Sequence, residues 1–250
     1  MACILNIETA AEACSVAVSQ DGAVIFKSDS NEAEREAAEH NSADADEHKG
    51  KHSLSSNAGV LGTLIDEAMS FTDNHAIPFD AVAVSAGPGS YTGLRIGVSM
   101  AKGICYGREL KLIALPTLKI QCVPFLLAND DIAEDSLICP MLDARRMEVY
   151  TAVYTRALRP VVDVCAKVID PTAFADLLNE HPVYFMGNGA AKCRPLITHP
   201  NAHFVDNMAL RAQYMPPLAE QKFLREEFED VAYFEPNYLK EWTTTHKDQN

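Results

Sequence analysis

Residues 80–107, DAVAVSAGPGSYTGLRIGVSMAKGICYG, decide the fold. Ala81 to Ser85 form an apolar run of strand length that enters a glycine-proline-glycine turn. Ser90 and Thr92 then open a helix with small residues at four-residue spacing on two rows. One row is Gly93, Gly97 and Ala101; the other is Ser99, Gly103 and Gly107. Glycine inside a helix costs about 1 kcal/mol relative to alanine, so a helix that accepts it repeatedly packs its backbone close to something.

Upstream, residues 3–8 (CILNIE) read as a buried strand and residues 14–19 (CSVAVS) alternate as a half-buried one. Asp21-Gly22 is a hairpin turn, and residues 23–27 return as a third strand. Residues 28–52 hold eight acidic residues and almost no large apolar ones, so they read as a solvated insert. From Ser53 to Phe71 a helical stripe runs through Leu54, Ala58, Leu61, Leu64, Ile65 and Ala68. Downstream of the glycine segment, a strand at 111–115 ends at Pro116, and Thr117 is expected to cap a helix to Leu127. The first half thus reads βββαβαβα.

After an acidic linker, Asn129 to Asp135, the same order recurs. Strands are expected at 137–142, 147–155 and about 161–169, with a helix from Pro171 to Leu178 capped by Asp170. A strand at 183–186, a turn at Gly187-Asn188-Gly189, a short helix, a strand at 203–205 and a helix from Asn207 to Glu220 complete it. A three-strand meander followed by αβα crossovers is a ribonuclease-H-like half, and two in tandem make the duplicated α/β fold of the actin-like ATPases. The expected division is residues 1–128 and 129–250, the second half ending in an irregular strap anchored by Tyr238 and Trp242.

The formal net charge of −14 argues against a chain built mainly to grip nucleic-acid phosphates. Seven scattered cysteines without CxxC spacing fit reduced, buried thiols and a cytoplasmic location. The N-terminal run lacks a basic region and a long apolar core, so no signal peptide is expected. No stretch reaches the roughly 18 apolar residues of a membrane span.

The motifs narrow the chemistry. A P-loop needs GxxxxGK[ST], and no lysine follows Gly93. A dinucleotide loop needs a third glycine where Thr92 stands. His48 and His52 have HxxxH spacing, but Lys49, Gly50 and Lys51 lie between them, which fits a metal site poorly. Glu8 ends the first strand and Asp143 the corresponding strand of the second half. In the duplicated fold, acids at these places face a cleft and bind magnesium–nucleotide, and Gly187 and Gly189 are placed for a phosphate contact at a helix entry. These four are the candidate cofactor residues; no catalytic residue and no metal ligand is assigned.

SAGPGSYTGLRIGVSMAKGICYG with LPTL at 115–118 closely resembles the TsaB (YeaZ) family of tRNA threonylcarbamoyladenosine biosynthesis. The likeness continues in ILNIETA, HSLSSNAGVLGTLIDEAM at 52–69, MLDARRMEVYTAVY at 141–154, FMGNGAAKC at 185–193 and PNYLKEW. The resemblance implies a non-catalytic partner of TsaD, the paralogue that transfers threonylcarbamoyl to the adenosine beside the anticodon of tRNA. It implies TsaE as a third component, a homodimer when the chain is alone, and tRNA contact mainly through TsaD. No cofactor of its own is implied, with ATP or ADP at the interface with TsaD. The paralogue's metal-binding HxxxH would fall at 113–119, where IALPTLK has no histidine. Family members usually carry Asp-Thr-Ser where this chain has Glu8-Thr9-Ala10. Alternatives of another class are an ATP-dependent phosphotransferase using Glu8 and Asp143, or a metallopeptidase-type homologue.

The family pairs through its first two helices in a four-helix arrangement. Carried over, the contacts are Leu54, Leu61, Leu64, Ile65, Ala68 and Met69 on one helix, with Leu94, Gly97, Val98, Ala101 and Ile104 on the other. One face of each helix must also cover its own sheet, so only part of this set is free to pair.

Overall fold

The computed structural model describes residues 2–11, 13–30 and 57–239. Two five-stranded sheets with identical connectivity form the chain. In the first, β1 (Cys3–Glu8), β2 (Ser15–Gln20) and β3 (Ala23–Asp29) make an antiparallel meander. β4 (Ala81–Ser85) adds parallel to β1, and β5 (Lys111–Leu115) parallel to β4, giving the order β3-β2-β1-β4-β5. The second repeats this with the meander β6 (Leu137–Asp143), β7 (Glu148–Thr155) and β8 (Pro160–Val168), then β9 (Val183–Met186) and β10 (Ala202–Val205). Its order is β10-β9-β6-β7-β8, the same arrangement read from the other edge. The duplicated α/β fold expected from element order is present.

Helices follow the strands as α1 (Asn57–Asn74), α2 (Tyr91–Arg108), α3 (Thr117–Ala128), α4 (Ala175–Glu180), α5 (Ala190–Cys193) and α6 (Pro216–Leu224), with a 3₁₀ turn at Ala212–Tyr214. Strand side chains alternate between faces, and each face has its own cover. Leu5, Ile7, Val82 and Val84 pack under Leu61, Leu64, Val98 and Ala101 of α1 and α2. The opposite face, Ile4, Ala83, Ile113 and Leu115, packs against Ile120 of α3 and against Met215 and Ala219 near and in α6. In the second sheet, Cys139, Met141 and Phe185 pack with Phe174, Leu178 and Cys193. Its other face, Ile138, Leu142, Ala152 and Tyr154, meets Leu118, Cys122 and Phe125 of α3.

Helix α3 therefore serves both sheets. Leu118, Cys122 and Phe125 recur at i, i+4 and i+7 toward the second sheet, while Ile120 faces the first. A helix that is apolar all round is a buried one, and TLKIQCVPFLLA reads that way. Division at 128/129 separates the sheets, but the helical layers cross it: α3 covers the second sheet and α6 returns to the first.

Several expected boundaries differ. β2 is buried along nearly its whole length, because α1 covers Val16 and Val18 on one face and the Ala212–Tyr214 turn covers Ser15 and Ala17 on the other. The hydroxyl of Thr117 does not cap α3; it accepts the Gly87 N–H at 3.0 Å and ties the glycine turn to the helix start. Asp170 folds an Asx turn instead of a helix cap, its carboxylate accepting from the Thr172 N–H and hydroxyl, and α4 begins only at Ala175. The helix expected over 207–220 begins only at Pro216, since proline suits a first turn; residues 207–211 are irregular and a 3₁₀ turn precedes it. Tyr238 anchors the strap against Tyr91, with ring centroids 4.8 Å apart. Leu54, Trp242, His48, His52 and residues 31–52 of the acidic insert lie outside the described residues.

The glycines of α2 have separate causes. A Cβ at Gly93 would overlap the backbone carbonyl oxygen of Thr9, and one at Gly97 the Thr9 side chain. A Cβ at Gly103 or Gly107 would meet nothing within 4 Å. Gly93→Ala is expected to lower the urea midpoint by the equivalent of about 2 kcal/mol or more, because backbone must move. Gly103→Ala is expected to raise it by up to about 1 kcal/mol through helix propensity. Equal midpoints for the two variants would contradict this division.

Candidate functional site

The C-terminal ends of β1 and β6 face the cleft between the halves, and the loop after β1 is its first wall. That loop is seated by the glycine segment: the Ser90 N–H donates to the Ala10 carbonyl at 2.8 Å, and Gly89 and Gly93 let Thr9 and Ala10 lie against the start of α2. Ser90 also caps α2, its hydroxyl accepting the Gly93 N–H. A cavity of about 240 Å³ lies beyond, lined by Ala11 and Ala13, by Leu142 and Asn188, and by Gln121 and Arg211.

Glu8 is fully buried and does not line that cavity. One carboxyl oxygen accepts the Ala10 N–H at 2.5 Å; the other has no hydrogen-bond partner among the described residues. Burial pushes the carboxyl up to about 7, against the opposing pull of the Ala10 N–H, the Ser85 hydroxyl and the Arg211 charge. A carboxyl in this state holds its proton more tightly than an exposed one.

Asp143 is half-exposed but engaged. The Lys192 ammonium donates to its Oδ1 and also to the carbonyls of Arg146 and Glu148 at 2.8 and 2.7 Å. Burial alone would raise the Asp143 carboxyl, but Lys192 and the Arg145 N–H outweigh it and hold the group below its ordinary value. One ammonium thus takes up a carboxylate oxygen and two carbonyl oxygens of this turn.

Gly187 and Gly189 lie against the end of β6. A Cβ on Gly189 would come within 3.0 Å of Leu142 and Asp143 backbone, and one on Gly187 would overlap the Met141 carbonyl. The Gly189 N–H already donates to Met141 at 3.0 Å, and Asn188 Oδ1 accepts the Asp143 N–H at 2.9 Å. The four candidate cofactor residues thus sit at the expected strand ends, but each is occupied with internal packing or pairing. Among the described residues no three His, Cys, Asp or Glu side chains cluster as a metal site, and no helix is long and apolar enough to cross a membrane.

The expected pairing residues are corrected by the same packing. Leu61, Leu64, Ile65, Ala68, Leu94, Gly97, Val98 and Ala101 are buried inside this chain, and Gly97 abuts Thr9, so none is available to a partner. Met69 and Ile104 are only partly covered. The exposed residues of the two helices are others, among them Thr63 and Asp66 on α1 and Ser99, Gly103, Tyr106 and Gly107 on α2, with Val60 and Met100 at the margin. Tyr106 is 84% exposed. Sequence reading missed this set because the apolar stripe of a helix marks the face toward its own sheet. It also missed Lys192, which is 49 residues from Asp143 and has no local signal.

Glu8 makes stability depend on pH. Its folded value lies above the ordinary 4.5, so the folded state holds the proton more tightly. The contribution of Glu8 to stability is fully present below about 4.5 and is lost as pH rises through about 7. Relative to wild type, Glu8→Gln is expected to gain on the order of 3 kcal/mol at pH 8 and little at pH 4, read by urea unfolding. A gain that does not change with pH would contradict the buried, protonatable carboxyl.

The comparisons with known proteins agree with this geometry. The family model described as TsaD, tRNA N6-adenosine threonylcarbamoyltransferase, matches residues 56–244. The tRNA threonylcarbamoyladenosine biosynthesis protein TsaB of Bacillus subtilis is 32% identical over 202 residues, covering 77% of this chain and 81% of that protein. Its namesake in Escherichia coli is 33% identical over 153 residues, 61% of this chain and 55% of that one. The structure of YeaZ from Pseudomonas aeruginosa superposes with a TM-score of 0.68 at 21% identity, covering 96% of this chain and all of that one, and supports the fold. With the duplicated sheets, the glycine-seated loop and a relative matched over most of its length, the chain belongs to the TsaB (YeaZ) family.

Proposed function

We infer that this chain is a non-catalytic partner and activator of TsaD in the threonylcarbamoylation of the adenosine beside the anticodon of tRNA. The observation that carries the reading is the free α1–α2 face. α2 turns Gly93 and Gly97 toward its own β1 loop, yet carries Ser99, Gly103 and Gly107 outward with open space above the last two. Glycine at exposed helix positions costs stability without any internal return, and a second helix approaching closely supplies that return. The same face serves a second copy of the chain when TsaD is absent. TsaE joins the assembly, and any ATP or ADP lies where this chain meets TsaD.

The non-catalytic assignment draws support from the cleft. Lys192 holds Asp143, Glu8 is sealed and favours its proton, and the backbone at Gly187 and Gly189 is spent on β6.

Gly103→Arg is expected to abolish co-elution with TsaD in size-exclusion chromatography while the thermal midpoint stays within a few degrees of wild type. Tyr106→Ala is expected to weaken pairing less. Wild-type pairing by Gly103→Arg would remove this face from the contact, and failure of the unaltered chain to pair with TsaD would overturn the reading.

A further inference from the structure

The turn from β6 into β7 is unusual. Arg145 and Arg146 both have left-handed backbone, with φ of 69° and 51°. Residues with a Cβ seldom adopt this conformation, and such positions persist only where the surroundings over-determine them. Here they do. The Ala144 N–H donates to the Glu148 carbonyl at 3.1 Å, the Glu148 N–H to the Arg145 carbonyl at 3.2 Å, and the Arg145 N–H to Asp143 Oδ1 at 2.7 Å. Lys192 closes the turn from beneath through Asp143 and the carbonyls of Arg146 and Glu148.

All of that bonding is made by the backbone, by Asp143 and by Lys192. The two arginine side chains are exposed, and neither guanidinium has a hydrogen bond or ion pair among the described residues. Several other cations are occupied: Arg194 pairs with Asp206, Arg211 with Asp29, Lys102 holds two carbonyls of the C-terminal strap, and Arg156 two carbonyls of the 130–132 segment. Asp143, which interacts electrostatically with Arg145, is paired with Lys192. A chain of net charge −14 thus presents a strained, pinned pair of free guanidinium forks beside its cleft. Such forks match phosphate oxygens, and a rigid turn pays less ordering entropy on binding than a mobile one.

We propose that the Arg145–Arg146 turn is this chain's contact with an RNA phosphate backbone, and that Lys192 is the positioning residue that sets it. The proposal rests on the tRNA-modification reading above, which supplies the RNA.

The test is a salt titration of the affinity of the complex with TsaD for unmodified tRNA. Arg145→Asn with Arg146→Asn keeps residues that tolerate left-handed backbone and removes both charges. The slope of log affinity against log salt is expected to fall by about 2. Arg145→Lys with Arg146→Lys is expected to retain the slope, and Lys192→Met to weaken binding although both arginines remain. An unchanged slope in an intact complex overturns the proposal and leaves the TsaD reading standing. Loss of TsaD pairing in the asparagine variant also overturns it, since the turn would then be a protein contact. If the unaltered chain forms no complex with TsaD, both readings fall together.

Discussion

The seat of Thr9 and Ala10 on the first turns of α2 is the constraint on which the first half depends. β1 is central in its sheet and buried on both faces, so the chain leaving it must turn within the protein. It does so against a helix, where residues without a Cβ at 89 and 93 leave room for its backbone and Gly97 leaves room for the Thr9 side chain. Ser90 answers with two bonds, one to Ala10 and one to its own helix. The glycine turn is in turn tied to α3 through Gly87 and Thr117, and to the C-terminal strap through the Asn237 N–H to the Ala86 carbonyl. One close approach thereby fixes the cleft wall, the direction of α2 and the start of the helix that joins the halves.

That joining helix explains why the chain is one body and not two beads. α3 presents one face to each sheet, and α6 returns to the first sheet from the end of the chain. At the strand ends beside the cleft between the halves, Lys192 holds Asp143 and Glu8 is buried. Exposed features lie on the α1–α2 face and at the Arg145–Arg146 turn.

The repeated element order was legible because strands and helices announce themselves through period and turn residues. CILNIE, AVAVS and LICPML are runs of strand length, and Asp21-Gly22 is a turn by chemistry. The glycine rows of α2 were legible as a demand for close approach, but not as to what approaches. Gly97 and Ala101 look alike with Gly103 in sequence, yet the first two face Thr9 or the core and the third faces outward. Rotation of a helix about its axis is set by tertiary packing, and the apolar stripe that signals it belongs to the core. Lys192 and the left-handed arginines were silent for a different reason: their meaning lies in contacts between segments nearly 50 residues apart.

Hydrogen exchange of the chain, alone and mixed with TsaD, tests the account's central claim most directly. The account predicts added protection in peptides spanning the outer turns of α1 and α2, including 99–107, with β1, β2 and the buried face of α3 unchanged. Protection confined to the second half, or no change anywhere at saturating TsaD, would contradict it.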